Sequence, residues 1–584
     1  MRISDIRPGG AVCSTAIALT VLCLASFVMM VAASAFNTRG EPREAIVAMS
    51  MLQDGNWILP INNGDEIAFK PPLLHWLIAL FSLPFGEISV GTSRLPSALA
   101  ATAMTVATYV FFARRAGQRV ALTSALVLLT AFEVHRAALT CRVDMLLAAL
   151  TVMAFYAFYA WGERGLRGVP WAGLLCVAGA ALTKGPVGAV LPCGVVAVYL
   201  WLRGEARFTA LLWRFALVAI AGLLPLLLWY VAAYAQPHGG ERFLRLVYEE
   251  NVLRFTGQMS YASHINPWYY NVMTVVAGML PYTLALLIAL PLGIKALRRA
   301  GRHCAGWCGA LRHPVAAARR MGRMDCFALV GFAVVFLFYC IPASKRSVYL
   351  LPLYPFAAWY AARFLVWLAG SHRRYMAAFS GTMLGVNIIL LLAYLTLQTG
   401  LVPTHLFATG RHADETLAYV DGLANQPWGL FVTVCAVVPL VAAVAASRRR
   451  FSQPLSATFL TAALWITFEG VYKPPIAAAK SDATVAAYLS RVQPTGTIYS
   501  FRTDVLEANR MHPFTINFYL GDRVIPIDKA TPLPSHGLLI VGNDEAEAFS
   551  ARYPQYAVAL VRDTRHRSCD DRKTVRIYRF VRKG

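Results

Sequence analysis

The chain has 584 residues, of which 58% are apolar and 14% charged, with a mean hydropathy of +0.53. These values exclude an ordinary soluble globular protein and make a bilayer the main solvent. The net charge of +24 does not point to nucleic acid, because the basic residues fall in short clusters between apolar runs and not along one soluble face.

The first apolar run, Ala11 to Ala35, follows Arg2 and Arg7 and ends on Ala33-Ser34-Ala35, which is similar to a signal-peptidase site. Its core of roughly 22 residues is long for a secretory signal and suits a retained span. Further spans are expected near 92–113, 119–136, 142–161, 170–183, 186–203, 210–235, 269–294, 325–341, 347–368, 375–399, 428–447 and 455–472, about thirteen in all. Alternate loops carry the arginines 114, 115 and 119; 164 and 167; 203 and 207; a basic stretch from Lys295 to Arg323; 373 and 374; and 448 to 450. The positive-inside rule assigns these loops and the N-terminus to the cytoplasm, and an odd number of spans then puts residues 473–584 outside. Residues 69–86, FKPPLLHWLIALFSLPFG, have too short an apolar part for a span and are read as helices lying in the outer interface. The outer face thus receives long loops over 36–91, 236–268 and 400–427, and such loops often carry function.

The tail opens with a capped amphipathic helix from Lys480. Short runs follow, TIYSF, FTINFYL, GLLIVG, YAVALV and VRIYRF, so residues 473–584 are expected to form a small α/β domain behind a transmembrane region of residues 1–472. The eleven cysteines lie mostly in apolar runs and imply no disulfide framework. His303, Cys304, Cys308 and His313 sit in a basic loop without a second cysteine pair, so zinc is not expected there.

The informative residues place charge at the outer ends of spans, where desolvation is costly unless the group is paired, snorkelling or functional. Lys70 precedes two prolines, which hold its backbone extended and its ammonium in a set direction. Lys345 and Arg346 lie in a turn too short to carry them far from the membrane, and Lys184 ends a short span; snorkelling is the plain alternative for all three. Glu41 precedes Pro42, which would take the first helical position, yet glutamate is a poor cap. Pairing with Arg39 or Arg43 competes with a chemical role. Asp144 sits where a helix dipole favours a carboxylate, and pairing with Arg142 is its plain alternative. The second outer loop brings Glu249, Glu250, Asn251, Arg254 and His264 to an aromatic belt at Trp268, Tyr269 and Tyr270, although a lone histidine is more often a satisfied polar residue. An outer cavity with several cations and two carboxylates suits a lipid-linked phosphate.

Four blocks in order, GEPREAIVAMSMLQDGNWILPINNGDEIAFKPPLLHWL, RVDMLL with LTKGP, ENVLRF with HINPWYY, and SKRSVYLLPLYP, cover about residues 39–355. In these the sequence resembles the bacterial GT-C glycosyltransferases that use polyprenyl-phosphate sugars, among them the lipid A aminoarabinose transferases and the protein O-mannosyltransferases. The resemblance implies a GT-C fold in the bacterial inner membrane, with the C-terminal domain periplasmic. It implies transfer of a sugar from polyprenyl (undecaprenyl) phosphate, usually with inversion, to lipid A or another envelope glycolipid, or alternatively to protein. The catalytic carboxylates would be Glu41 and Asp144. Arg43, Lys70, Arg254, Lys345 and Arg346 would bind the donor phosphate, with Lys184, Asn251 and His264 also in the cavity. Two departures stand out. The family's first-loop Asp-Glu reads Gly40-Glu41, and the glutamate that precedes the loop lysine in aminoarabinose transferases is Phe69. No cofactor is expected, and a divalent metal has no support in the sequence. A transporter of lipid-linked sugars is the reading from another class, but its charges would lie mid-span and not at outer ends.

Overall fold

In a bilayer each backbone N–H and C=O must be satisfied within its own segment, so long apolar runs become long helices. The structure, a computed structural model, describes residues 10–258, 265–300, 314–409, 413–447, 452–501, 513–527, 531–542 and 545–583. Its first part is a helical assembly in which α1 (Gly10–Val31), α4 (Val90–Ala116), α7 (Val143–Glu163) and α10 (Phe208–Tyr234) are long and apolar enough to cross a membrane. Arg323–Cys340, Arg373–Gln398 and Gln453–Lys480 are as well. Between them run α2 (Gly40–Asp54), α3 (Leu73–Ser82), α5 (Gln118–Thr130), α6 (Phe132–Ala138), α8 (Trp171–Lys184), α9 (Val187–Arg203) and α11 (Gly240–Tyr248).

Among the described residues these seven helices meet the length and apolarity of a span, or nine if each of two broken pairs counts as one. The expected segments 119–136 and 269–294 do not run straight. The first bends by 63° where Ala131 turns extended between α5 and α6. The second bends by 97° between Tyr269–Gly278 and Tyr282–Ile288, where Pro281 can donate no hydrogen bond. The other four expected segments are helical too, as α8, α9, Ser347–Ser371 and Leu430–Ser447. Helices approach closely through small residues: a side chain on Gly222 would strike Val177, and one on Gly173 or Gly331 would strike a phenylalanine.

The first loop folds as α2, a two-stranded hairpin of β1 (Ile61–Asn62) and β2 (Glu66–Ile67), and α3, which packs on α2 and α4. Leu80, Leu83 and Phe85 remain exposed at its end, as an interfacial helix requires.

The C-terminal residues form a five-stranded sheet in the order β4 (Val524–Pro526), β3 (Ile498–Phe501), β5 (His536–Gly542), β7 (Thr574–Arg582), β6 (Tyr556–Arg567). The first three are parallel and the last three antiparallel. One expected run is corrected: Phe514–Tyr519 is a helix and not a strand. Residues 514–518 are all buried, without the alternation a half-exposed strand needs, and Asp570 fixes the first turn by accepting from Thr515 N (2.8 Å) and Oγ1 (2.9 Å). The spanning helix also continues past residue 472 to Lys480.

This domain grips the first loop. Phe36 stacks edge-on against Phe518 at 4.9 Å and donates its N–H to Tyr519 Oη at 3.1 Å. Asp522 accepts from Asn63 N at 3.0 Å and Ser50 Oγ at 3.1 Å.

Candidate active site

The first turn of α2 sets three charges, and its helical spacing sends them to different neighbours. Glu41 points into the bundle and is 3% exposed. Arg94 of α4 holds it with two bonds, Nε to Oε1 at 2.8 Å and Nη2 to Oε2 at 3.1 Å, and Cys141 N–H adds a third at 3.0 Å. Burial pushes this carboxyl up, but Arg94 outweighs it and holds the group below its ordinary value. The partner is therefore neither Arg39 nor Arg43, and Glu41 would have to leave Arg94 before it could take a proton.

Glu44 faces the cations instead. Its carboxylate, also buried, pairs with Lys70 and accepts from Arg43 Nη2 at 3.2 Å and His75 Nε2 at 3.0 Å. Burial alone would raise it; Lys70, the His75 hydrogen bond and Arg43 hold it well below the usual carboxylate range. Lys70 ionises near 8, because burial and Arg43 oppose its charge more strongly than Glu44 supports it. His75 comes from α3, and its Nδ1 is buried with no partner among the described residues.

The second loop closes on this group. After α11 the chain runs through a π-helical turn, Glu249–Leu253, a rare form often found at functional sites. Arg254 pairs with Glu250, and Glu250 in turn acts on both Arg43 and Lys70. Asn251 donates to Val247 O at 2.9 Å and stands near Gly185. Beyond it, Ile265 bridges Ser344, and Asn266 donates to Lys345 O at 3.3 Å. His264 lies outside the described residues.

Beside this lies a second set. Asp144, 5% exposed in the first turn of α7, pairs with Lys184 and not with Arg142. Lys184 rests 4.0 Å above the Tyr349 ring, a cation–π contact. Lys345 is buried and donates to Pro342 O at 2.7 Å, which ties the turn to itself. The charges of Arg346 and Arg142 also act on Asp144. Of the expected site residues that are described, Arg43 and Lys70 meet at Glu44, Arg254 joins them through Glu250, Lys184 meets Asp144 with Asn251 near the adjoining Gly185, Lys345 bonds within its own turn, and Glu41 turns away to Arg94. Glu44, His75, Arg142 and Tyr349 were not expected. His75 had a faint signal as the one polar side chain in LLHWLIAL; the others look like ordinary surface or belt residues.

For metal, Phe69 offers no ligand atom. Among the described residues the one group of three ligating side chains within 4.8 Å of one another is Asp482, Cys569 and Asp570, in the C-terminal domain. They are already joined by hydrogen bonds to Ser568 and Thr515.

The fold matches known proteins. Superposed on ArnT from Cupriavidus metallidurans bound to undecaprenyl phosphate, the structure gives a TM-score of 0.68 at 19% identity, covering 96% of this chain and 97% of that one. The chain has the GT-C fold. Within it, residues 69–229 match the dolichyl-phosphate-mannose-protein mannosyltransferase family. An undecaprenyl phosphate-α-4-amino-4-deoxy-L-arabinose arabinosyl transferase of Pseudomonas aeruginosa strain UCBPP-PA14 is 34% identical over 259 residues, 43% of this chain and 45% of that protein. The Shewanella sediminis protein of the same name is 27% identical over 319 residues, 53% and 52% of the two chains. This GT-C chain thus resembles the aminoarabinose transferase and protein mannosyltransferase superfamily, and its sequence match spans about half the length of these curated relatives.

Proposed function

We propose that the chain is a GT-C glycosyltransferase that moves a sugar from a polyprenyl phosphate to lipid A or another envelope glycolipid. The reaction lies on the outer face of the bacterial inner membrane, with the N-terminus cytoplasmic and the sheet domain periplasmic. One observation carries the reading: cations from four separate segments, at Arg43, Lys70, Arg254 and Arg346, gather around the buried Glu44 and Asp144 and the half-buried Glu250 in a GT-C bundle.

That geometry fits a reaction whose leaving group is a phosphate. As the bond to the anomeric carbon breaks, negative charge grows on the phosphate oxygens, and fixed cations in a water-poor cleft stabilise it more than they stabilise the ground state. The donor would lie between Lys70 and Arg43 on one side and Arg254 and Arg346 on the other. Asp144, held by Lys184 at the head of α7, is the carboxylate placed to orient the incoming group. Glu44 sets the charge and direction of Lys70, and Glu41 anchors α2 through Arg94. An acceptor that attacks through an anionic oxygen needs little base catalysis, whereas a hydroxyl acceptor needs a carboxylate to take its proton.

Protein O-glycosylation is the second reading, favoured by the mannosyltransferase match over residues 69–229. Mass spectra of lipid A and of glycoproteins from cells with and without the chain separate the two. The first reading expects a hexose- or pentose-sized mass increment on envelope glycolipid that vanishes with the chain. Unchanged glycolipid with lost protein glycans overturns it.

A further inference from the structure

Gly40 opens α2 directly against Arg142. A Cβ added to Gly40 would fall on the Arg142 guanidinium, 2.7 Å from Nη1 and closer still to Cζ and Nη2.

Arg142 precedes α7 in extended backbone, with φ −148° and ψ 150°. Its guanidinium makes no ion pair or side-chain hydrogen bond among the described residues, and neither does that of Arg346. The other cations around the cleft are engaged: Arg43 and Lys70 with Glu44, Arg254 with Glu250, Lys184 with Asp144, and Lys345 with Pro342 O. Of the charges around Arg142, Arg346 acts on it most strongly, ahead of Asp144, Glu41 and Arg43. Both arginines are half-buried. Lys184 ties their two segments together, pairing with Asp144 and resting on the Tyr349 ring; two guanidiniums that act on each other across this junction repel, and an oxyanion between them removes the repulsion. Their planar forks match two edges of a phosphate.

We propose that Arg142 and Arg346 form one phosphate-binding subsite, and that the missing side chain at Gly40 is what admits Arg142 to it. The inference rests on the glycosyltransferase reading only for the source of the phosphate, either the polyprenyl phosphate or a phosphorylated acceptor lipid.

The test uses full-length protein in nanodiscs and reads dissociation constants for undecaprenyl phosphate and for lipid A with and without its phosphates. Two variants are compared with the parent. Arg142→Gln removes the cation. Gly40→Ala keeps it but displaces it, at little cost to the fold because the clash falls on the far end of a flexible side chain. Both variants should lose at least about tenfold in affinity for the same one ligand, as expected for a lost charge-assisted contact. Loss on undecaprenyl phosphate assigns the subsite to the donor. Loss on phosphorylated lipid A, with the dephosphorylated form unaffected, assigns it to the acceptor. Unchanged affinities, a loss in Arg142→Gln that Gly40→Ala does not share, or an equal loss on both ligands would each overturn the proposal. Because the readout is binding, altered affinity without any sugar transfer would count against the glycosyltransferase reading and not against this subsite.

Discussion

Glu44→Gln probes how the site keeps Lys70 charged. Lys70 ionises near 8, with burial and Arg43 pulling it down and Glu44 holding it up. At pH 7.5 such a group is about three-quarters protonated. Glutamine keeps most of the shape and hydrogen bonding but removes the supporting charge, and an opposite charge in contact moves a pKa by about 1–3 units. A fall of about 1.5 units leaves Lys70 about one-tenth protonated at pH 7.5, so a donor phosphate that needs the ammonium loses about eightfold in kcat/KM. The sign follows from the lysine: the working form is the protonated one, so activity is lost as pH rises through the pKa. The assay is transfer of labelled sugar from its polyprenyl phosphate between pH 6 and 9.5, read as kcat/KM because that constant reports the free enzyme. The parent should show an alkaline limb near 8. In Glu44→Gln the limb should move about 1–2 units toward acid, and Lys70→Arg should carry it out of the measured range. A limb that stays put in Lys70→Arg, or a Glu44→Gln profile identical to the parent's, would refute the coupling.

Arg94→Ala leaves Glu41 charged and buried at 3% exposure, so thermal unfolding in detergent should show a loss of about 3–5 kcal/mol, much of it restored when both residues become apolar. A loss under about 1 kcal/mol would contradict that account. Asp144→Asn should cut kcat by tenfold or more with membrane insertion and undecaprenyl phosphate affinity intact, as measured by steady-state kinetics and titration; full activity removes Asp144 from the mechanism. In the C-terminal domain burial and then Asp482 push Asp570 up to about 8. The folded domain therefore keeps a proton that the unfolded chain releases above about 4, and its stability should fall as pH rises toward 8, by at most about 1.4 kcal/mol per unit. Hydrogen exchange of the sheet amides in the full chain should show this slope, and Asp570→Asn should flatten it.

The helical segments were legible because apolar length is written directly in the chain. The two bends were not: Pro281 was visible but gave no angle, and Ala131 gave no sign at all. FTINFYL reads as a strand by composition, and only the distant Asp570 and the packing of Phe518 on Phe36 make it a helix. At the site, charges at outer helix ends pointed to Lys70, Lys184 and Asp144, because charge beside hydrocarbon is conspicuous in any sequence, and Arg254 came from the loop that runs into the aromatic belt. Partner choice was not readable. Glu41 and Glu44 lie three residues apart in one helical turn, yet one meets Arg94 and the other Lys70, fifty-three and twenty-six residues away. Nothing local marks Gly40 as the space filled by Arg142.

The most direct test is transfer itself. Purified protein in proteoliposomes is given undecaprenyl phosphate carrying a labelled sugar together with lipid A, and products are separated by mass. The proposed function predicts sugar on the acceptor and one free undecaprenyl phosphate for each sugar moved, both lost together in Lys70→Ala. Labelled lipid that crosses the bilayer with its sugar still attached, and no product on any acceptor, would contradict it and make the chain a transporter.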